Sequence, residues 1–220
     1  MNKLAHVRDG VAALLASALA AGPVWAVDIA GPVVPVSAQV EANLAFSVTI
    51  TELIPAAGGG TTIGPVVTSM EFGILASNGT FDPDGPGPIG PQPRALNSTK
   101  AYQVFFGLNA QGRPFTIKQT ATPLRAGGST IPNGAFIVTP LTGVGGDPSK
   151  PLPPGTSVGS RGSAVATNKV LFSSSGGQSN TMAATYGITD DPALGATEAI
   201  PLDQPAGNYS TTITFTATVL

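Results

Sequence analysis

The stretch VPVSAQVEANLAFSVTI, residues 34–50, decides the fold, because apolar residues occupy every second position along its whole length. The positions of this series are Val34, Val36, Ala38, Val40, Ala42, Leu44, Phe46, Val48 and Ile50. The residues between them are mainly polar, and this alternation is typical of a β-strand with one buried face. The stretch therefore predicts extended structure in a single register over 17 residues.

The length of this stretch indicates more than one ordinary strand. At about 3.3 Å per residue it would extend for about 55 Å, whereas most strands contain about five or six residues. One interpretation divides it into a strand of the protein body and an arm that reaches another molecule. The alternative is a strand that bends from one sheet of a sandwich to the other. The pattern alone favours neither interpretation.

Residues 1–26 have the three parts of a secretory signal peptide. Lys3 and Arg8 supply positive charge, an apolar run rich in Ala and Leu follows, and Ala26 is a small residue suited to cleavage. Cleavage there leaves 220 − 26 = 194 mature residues. The single His and the single Trp lie in the signal peptide, and the chain has no Cys. The mature chain therefore cannot form a Ser–His pair, a thiolate nucleophile or a His or Cys metal site.

The mature chain carries few charges. Without the charged residues of the signal peptide it has 10 − 2 = 8 basic and 12 − 1 = 11 acidic residues, a formal charge of −3. These charges are spread singly and form no basic stripe, so we expect no nucleic-acid partner. Small and hydroxyl-bearing residues take their place, which suits an exported protein that packs into an assembly.

Short alternating segments continue through the rest of the chain. The predicted strands after residue 50 are Val66–Ile74, Tyr102–Leu108, Phe115–Ala121, Ala135–Val138, Ala164–Phe172, Ala183–Ile188 and Tyr209–Val219. Asn109–Gly112 predicts a hairpin connection, and turn-rich loops are predicted at Asp82–Pro93 and Gly143–Gly162. About eight or nine short strands separated by turns predict one antiparallel β-sandwich. We assign residues 44–220 to this domain and residues 27–43 to an N-terminal extension.

The mature chain offers little for catalysis or metal binding. Asp82 and Asp84 begin like a calcium loop, but a proline stands at the next ligand position, so a solvated turn is the better interpretation. Glu52 and Glu71 have the side chains of a glycosidase acid and base, but nothing in their spacing brings them together. We therefore expect neither an enzyme nor a bound cofactor.

The last segment of the chain alternates as clearly as the first. After a turn at Ala206–Tyr209, the segment Thr211–Leu220 carries on one face Ile213, Phe215, Ala217 and Val219. A terminal strand of this kind also occurs in closed sandwiches. Combined with a free arm at the other end, it predicts a sheet that is completed by a strand of another molecule.

Four short motifs stand out: Val36–Leu44 leading into a strand, Met70–Gly73, Ala183–Ile188, and Gly207–Tyr209 before a Thr-rich last strand. Together they resemble the spore coat protein U-like secreted proteins, which are subunits of archaic chaperone–usher pili. Two features differ from that family. The Cys pair that is usual in its subunits is missing here, and the penultimate residue, often aromatic there, is Val219.

The resemblance implies an immunoglobulin-like sandwich that lacks one strand and is completed by a donor strand from a neighbouring subunit. The donor residues would be Val34, Val36, Ala38, Val40 and Ala42. The accepting strand and its turn would carry Gly207, Tyr209, Ile213, Phe215, Ala217 and Val219. The resemblance also implies a head-to-tail homopolymer at the cell surface, exported through the periplasm with a periplasmic chaperone and an outer-membrane usher as partners.

The alternative function is a self-contained secreted β-sandwich that binds a ligand or the cell envelope. The segment Tyr102–Leu108 and the Pro-rich loops would then form the binding surface. The two functions differ in their need for the N-terminal arm, which a filament subunit requires and a closed module does not. A secreted hydrolase is a third possibility, for which the sequence displays no carboxylate cluster.

Overall fold

The computed structural model describes residues 27–31, 37–41, 44–56, 60–75, 80–81, 88–89 and 96–220. Its strands, in chain order, are β1 (Val27–Gly31), β2 (Ser37–Glu41), β3 (Leu44–Pro55), β4 (Thr61–Val67), β5 (Thr80–Phe81), β6 (Pro88–Ile89), β7 (Ala101–Asn109), β8 (Phe115–Ala121), β9 (Arg125–Ala126), β10 (Ser129–Thr130), β11 (Phe136–Pro140), β12 (Gly143–Val144), β13 (Asp147–Pro151), β14 (Thr156–Val158), β15 (Gly162–Ser163), β16 (Ala166–Ser174), β17 (Asn180–Ile188) and β18 (Ile213–Val219). Within these ranges the helical elements are two short 3₁₀-helices, and no helix is long and apolar enough to span a membrane. The predicted signal peptide lies outside the described residues.

Two antiparallel sheets form the body of the protein. The first has the strand order β1-β18-β8-β16-β14, and the second has the order β15-β11-β17-β7-β3-β2, with β4 also paired to β3. Three short hairpins, β5–β6, β9–β10 and β12–β13, complete the pairing of the described strands. Residues from both sheets enclose one main apolar cluster. The predicted all-β antiparallel sandwich is therefore confirmed.

The alternation of apolar residues determines which faces of the sheets meet. The buried positions of β8 are Phe115, Ile117, Gln119 and Ala121, on the parity that the sequence predicts. From the second sheet, Phe106 packs beside Phe46 and reaches across to Phe172 and Phe215 of the first sheet. The ring centroids of these pairs are 5.1 to 6.5 Å apart, which is the range of favourable aromatic contacts.

The long alternating stretch contains two strands, as its length predicts. β2 lies within it and β3 begins in it, and β2 pairs antiparallel with β3 so that Ala38 stands opposite Phe46. Both strands belong to the second sheet, so the described part of the stretch does not bend from one sheet to the other. The preceding strand, β1, pairs instead with β18 in the first sheet.

Two predicted connections differ from the structure. Asn109–Gly112 is not a hairpin loop, because β7 pairs with β17 and β3 whereas β8 pairs with β16 and β18. This turn, with Gln111 and Gly112 at positive φ, carries the chain from one sheet to the other instead. The predicted loop Gly143–Gly162 contains β12, β13 and β14, since pairing at an outer hairpin tolerates the prolines that suggested a loop. The predicted loop Asp82–Pro93 lies largely outside the described residues.

Two predicted strands have different limits. The strand Val66–Ile74 is wrong beyond the end of β4, because segment 68–75 continues without strand pairing. Its side chains Met70, Phe72 and Leu75 pack against the core, whereas Ile74 is exposed. The last strand begins later than predicted, at Ile213. Before it, the chain pairs with β9 through the backbone groups of Ser210 and Arg125, at N···O distances of 3.0 Å.

The edges of the two sheets differ in length. At one side of the sandwich the edge strands β14 and β15 have three and two residues. At another edge, β4 carries Gly64 and Pro65, and a proline cannot donate a ladder hydrogen bond. β18 has seven residues, and the strand on its outer side is β1, from the N-terminal extension. Among the described strands, β4 and β18 thus present the two longest edges that no strand of residues 44–220 covers, each of seven residues, and of the two only β18 contains no proline.

Candidate strand-docking edge

We call the outer side of β18, which faces away from β8, the β18 edge. On its inner side β18 is fixed by a continuous register with β8, from Ile213 opposite Ala121 to Val219 opposite Phe115. On the β18 edge, β1 pairs with the last five residues of the strand, from Phe215 to Val219. The backbone groups of this edge are the ones that an added strand would bind.

The face of β18 that points between the sheets is apolar and buried. Its members are Ile213, Phe215, Ala217 and Val219, each at most 1% exposed. Phe215 makes edge-on contacts with Phe106 at 5.1 Å and with Tyr186 at 6.3 Å between ring centroids. The predicted alternation of this strand is confirmed, whereas its role as an accepting strand stays a prediction.

The predicted turn residues Gly207 and Tyr209 lie just before β18. The Tyr209 hydroxyl donates to the carbonyl oxygen of Pro205 and accepts from Nε2 of Gln204, both at 2.7 Å. A Cβ at Gly207 would lie 2.9 Å from Cβ of Ala126, so this position has no room for a side chain unless the backbone shifts. The turn is therefore fixed by its own contacts and packs against β9.

An apolar cleft of about 1030 Å³ opens at the start of β18. Segment 68–75 forms one wall and segment 204–213 forms the other, so that Gly207, Tyr209 and Ile213 meet in one place. Further lining comes from Leu75, Leu96, Leu124, Ile131, Phe136 and Ile188. Sequence reasoning predicted the second wall but assigned the first wall to a strand. The motif Met70–Gly73 was the sequence signal available for the first wall.

The wall formed by segment 68–75 is held to the second sheet by Tyr102. The hydroxyl of Tyr102 donates to the carbonyl oxygen of Glu71 at 2.6 Å and accepts from the Glu71 N–H at 2.9 Å. Burial raises the pKa of Tyr102 to about 12, although the backbone hydrogen bond acts in the opposite direction. Phe72 adds edge-on ring contacts with Tyr102 at 5.2 Å and with Phe136 at 5.6 Å. The cleft wall is therefore anchored by both polar and aromatic contacts.

Glu52 and Glu71 line a second, polar cavity of about 330 Å³, together with Lys100 and Tyr102. Their spacing in the sequence did not indicate that both would line one cavity, which forms where β3 and the segment after β4 meet. Each carboxylate has a partner: Nζ of Lys100 lies 3.3 Å from Glu52, and the Ser69 hydroxyl donates to Glu71 at 3.1 Å. Within the described ranges, no group of three or more His, Cys, Asp or Glu side chains has a metal-binding arrangement.

The structure places the predicted donor residues in two groups. Ala38 and Val40 lie in β2, which pairs with β3 of the same chain. Val34, Val36 and Ala42 lie outside the described residues. Sequence reasoning missed β1, although Val27 and Ile29 alternate with Asp28 and Ala30.

No protein-family model, curated protein or solved structure matches this chain.

Proposed function

We propose that this protein is the structural subunit of an extracellular filament, in which the N-terminal extension of one copy completes the sandwich of the next. The observation that carries the proposal is the β18 edge. It has seven residues, contains no proline and is covered by no strand of residues 44–220, and the strand beside it comes from the N-terminal extension. A strand added at such an edge gains a row of backbone hydrogen bonds.

The geometry of this contact supports a fibre. The extension precedes β3 in the chain, whereas the edge that accepts it is the last strand. A contact between two different surfaces of the same protein is heterologous, and it builds an open fibre when its rotation does not close a ring. The short edges at β14 and β15 and the proline in β4 disfavour side-by-side pairing elsewhere in the described sheets.

The proposal includes the partners and the location that the family resemblance implies. Whenever β1 is displaced from the β18 edge during export or assembly, the subunit needs a temporary partner strand there, because unpaired edges aggregate. A periplasmic chaperone would supply it, and an outer-membrane usher would exchange it at the cell surface. The reaction is strand exchange, which requires no catalytic residue and no cofactor in the subunit.

Charge substitutions in the extension test the proposal. Replacing Val36 and Val40 by Asp puts two charges at positions of the apolar series, where burial in a groove is strongly unfavourable unless each charge is paired. The matched control replaces Ser37 and Gln39 by Asp, which adds the same charge at the polar positions between them. We expect the first double variant to lose filaments in electron micrographs and the control to keep them. Equal assembly of the two variants would exclude Val36 and Val40 from the donor contact. Filaments that also persist in a variant lacking residues 27–31 would contradict the proposal itself.

A second candidate function is the self-contained binding module. Two observations favour it: β1 and β2 pair with both sheets of their own chain, and the cleft beside β18 has the size of a small-ligand site. A wild-type protein that stays monomeric by sedimentation, and that forms no filament when concentrated in the presence of the chaperone and usher, would favour this function over the filament.

A further inference from the structure

We infer that in an unassembled chain the β18 edge is occupied by the chain's own strand β1, and that assembly exchanges this strand for β1 of a second copy. The first part stands on the strand register alone. The second part rests on the proposed filament function and names the segment that does the exchange.

The register between β1 and β18 is specified by sequence at every pair. Opposite the buried residues Val219, Ala217 and Phe215 stand the apolar or small positions Val27, Ile29 and Gly31. Opposite the half-exposed Thr218 stands the charged position Asp28. A shift by one residue would bring Asp28 opposite a buried position of β18, so the sequence selects the observed register.

The rest of the extension closes the same side of the sandwich. β1 lies at the edge of the first sheet and β2 at the edge of the second, so the chain crosses between the sheets there. The opposite side is closed in the same way, since β14 pairs in the first sheet and β15 in the second. The N-terminal crossing therefore completes a pattern that the body already uses, and it covers the long edge that would otherwise promote aggregation.

Exchange between copies would preserve these contacts. When an identical element is swapped between two protomers, every pair of the interface is kept and only the chain that supplies it changes. The ladder between β1 and β18 has five pairs, which is short enough to separate without unfolding the body. The inference differs from the sequence prediction, in which the donor residues run from Val34 to Ala42.

Engineered cysteines distinguish these states, because the wild-type chain contains no Cys. Ile29 and Ala217 are directly paired, so the double variant I29C/A217C should form a disulfide within one chain when the monomer is oxidised. The expected result is the loss of two hydrogens by mass spectrometry, with no dimer on a non-reducing gel. The matched control I29C/I213C places the second cysteine four residues away along β18 and should not cross-link.

Filaments test the second part. When the reduced I29C/A217C variant is assembled and then oxidised, we expect a ladder of covalent dimers, trimers and higher species. Oxidation before assembly should lock β1 in place and abolish filaments, and reduction should restore them. Filaments that cross-link through V36C/A217C but not through I29C/A217C would overturn the inference while leaving the filament function intact. A monomer that cross-links internally but never forms filaments would refute both the exchange and the proposed function.

Hydrogen exchange provides a readout that needs no cysteine. Residues 215–219 should exchange more slowly in the mature monomer than in a variant that lacks residues 27–31, because β1 covers the outer backbone groups of that part of β18. Segment 115–121 in β8 serves as the internal control for folding. Equal exchange of residues 215–219 in the two proteins, with β8 protected in both, would show that β1 does not occupy this edge.

Discussion

The hydrogen bond between Tyr186 and Gln119 joins the two sheets inside the core of a protein that has no disulfide. Tyr186 belongs to β17 of the second sheet and Gln119 to β8 of the first, and both are fully buried. The Tyr186 hydroxyl donates to Oε1 of Gln119, and Nε2 of Gln119 donates to the carbonyl oxygen of Ala164 at 2.6 Å. We predict that the double variant of Tyr186 and Gln119 is more stable than the single variant Gln119→Leu.

The magnitudes follow from the number of buried polar groups left without a partner, at about 1–3 kcal/mol each. Tyr186→Phe leaves one such group, Oε1 of Gln119. Gln119→Leu leaves two, the Tyr186 hydroxyl and the Ala164 carbonyl oxygen, and should cost about 2–6 kcal/mol. The double variant leaves only the carbonyl oxygen. Adding Tyr186→Phe to Gln119→Leu should therefore regain about 1–3 kcal/mol of the free energy of unfolding.

Urea unfolding followed by far-ultraviolet circular dichroism measures these differences, provided that the dependence on urea is the same for all variants. Tyr209→Phe combined with Gln119→Leu is the control, because the Tyr209 hydroxyl bonds to Gln204 and Pro205 instead. The control pair should be additive within about 0.5 kcal/mol. A double variant of Tyr186 and Gln119 that is less stable than Gln119→Leu alone would refute the reasoning.

Three further predictions concern pH, the turn before β18 and processing. Burial raises the pKa of Tyr102 to about 12 from its ordinary value of 10.0. The contribution of Tyr102 to the free energy of unfolding should therefore be complete below pH 10 and fall as the pH rises towards 12. In a pH series of urea melts, Tyr102→Phe should reduce this fall. Gly207→Ala should lower the melting temperature, since its Cβ would lie 2.9 Å from that of Ala126, whereas Gly128→Ala, with no atom within 4 Å, should not. Mass spectrometry of exported protein should find Val27 as the first residue, and an intact Met1 would contradict the predicted signal peptide.

The sequence predicted the strands whose faces differ most in polarity. β8 and β18 alternate without interruption, and burial of one face fixes both their type and their orientation. The sequence did not predict that Gln119 forms a hydrogen bond between the sheets, because its partner Tyr186 lies 67 positions away on the other sheet. Nor did it predict that β7 and β8 belong to different sheets, since a short turn between two alternating strands is compatible with a hairpin or a crossing. Side-chain periodicity identifies a strand but not its neighbour.

The N-terminal extension does contain a signal for the change of sheet. In β1 the odd-numbered positions, such as Ile29, stand opposite buried residues of β18, whereas in β2 the even-numbered Ala38 stands opposite the buried Phe46. The parity therefore changes between the two strands, and Pro32 and Pro35 lie in the interval. A proline cannot donate a hydrogen bond to a ladder, and a single strand cannot change parity without an irregularity. The two prolines and the change of parity therefore indicate where the ladder of β1 ends and that of β2 begins. The described members of the alternating series lie in β2 and β3, and the segment that matches the β18 edge, Val27–Gly31, precedes the series in the chain.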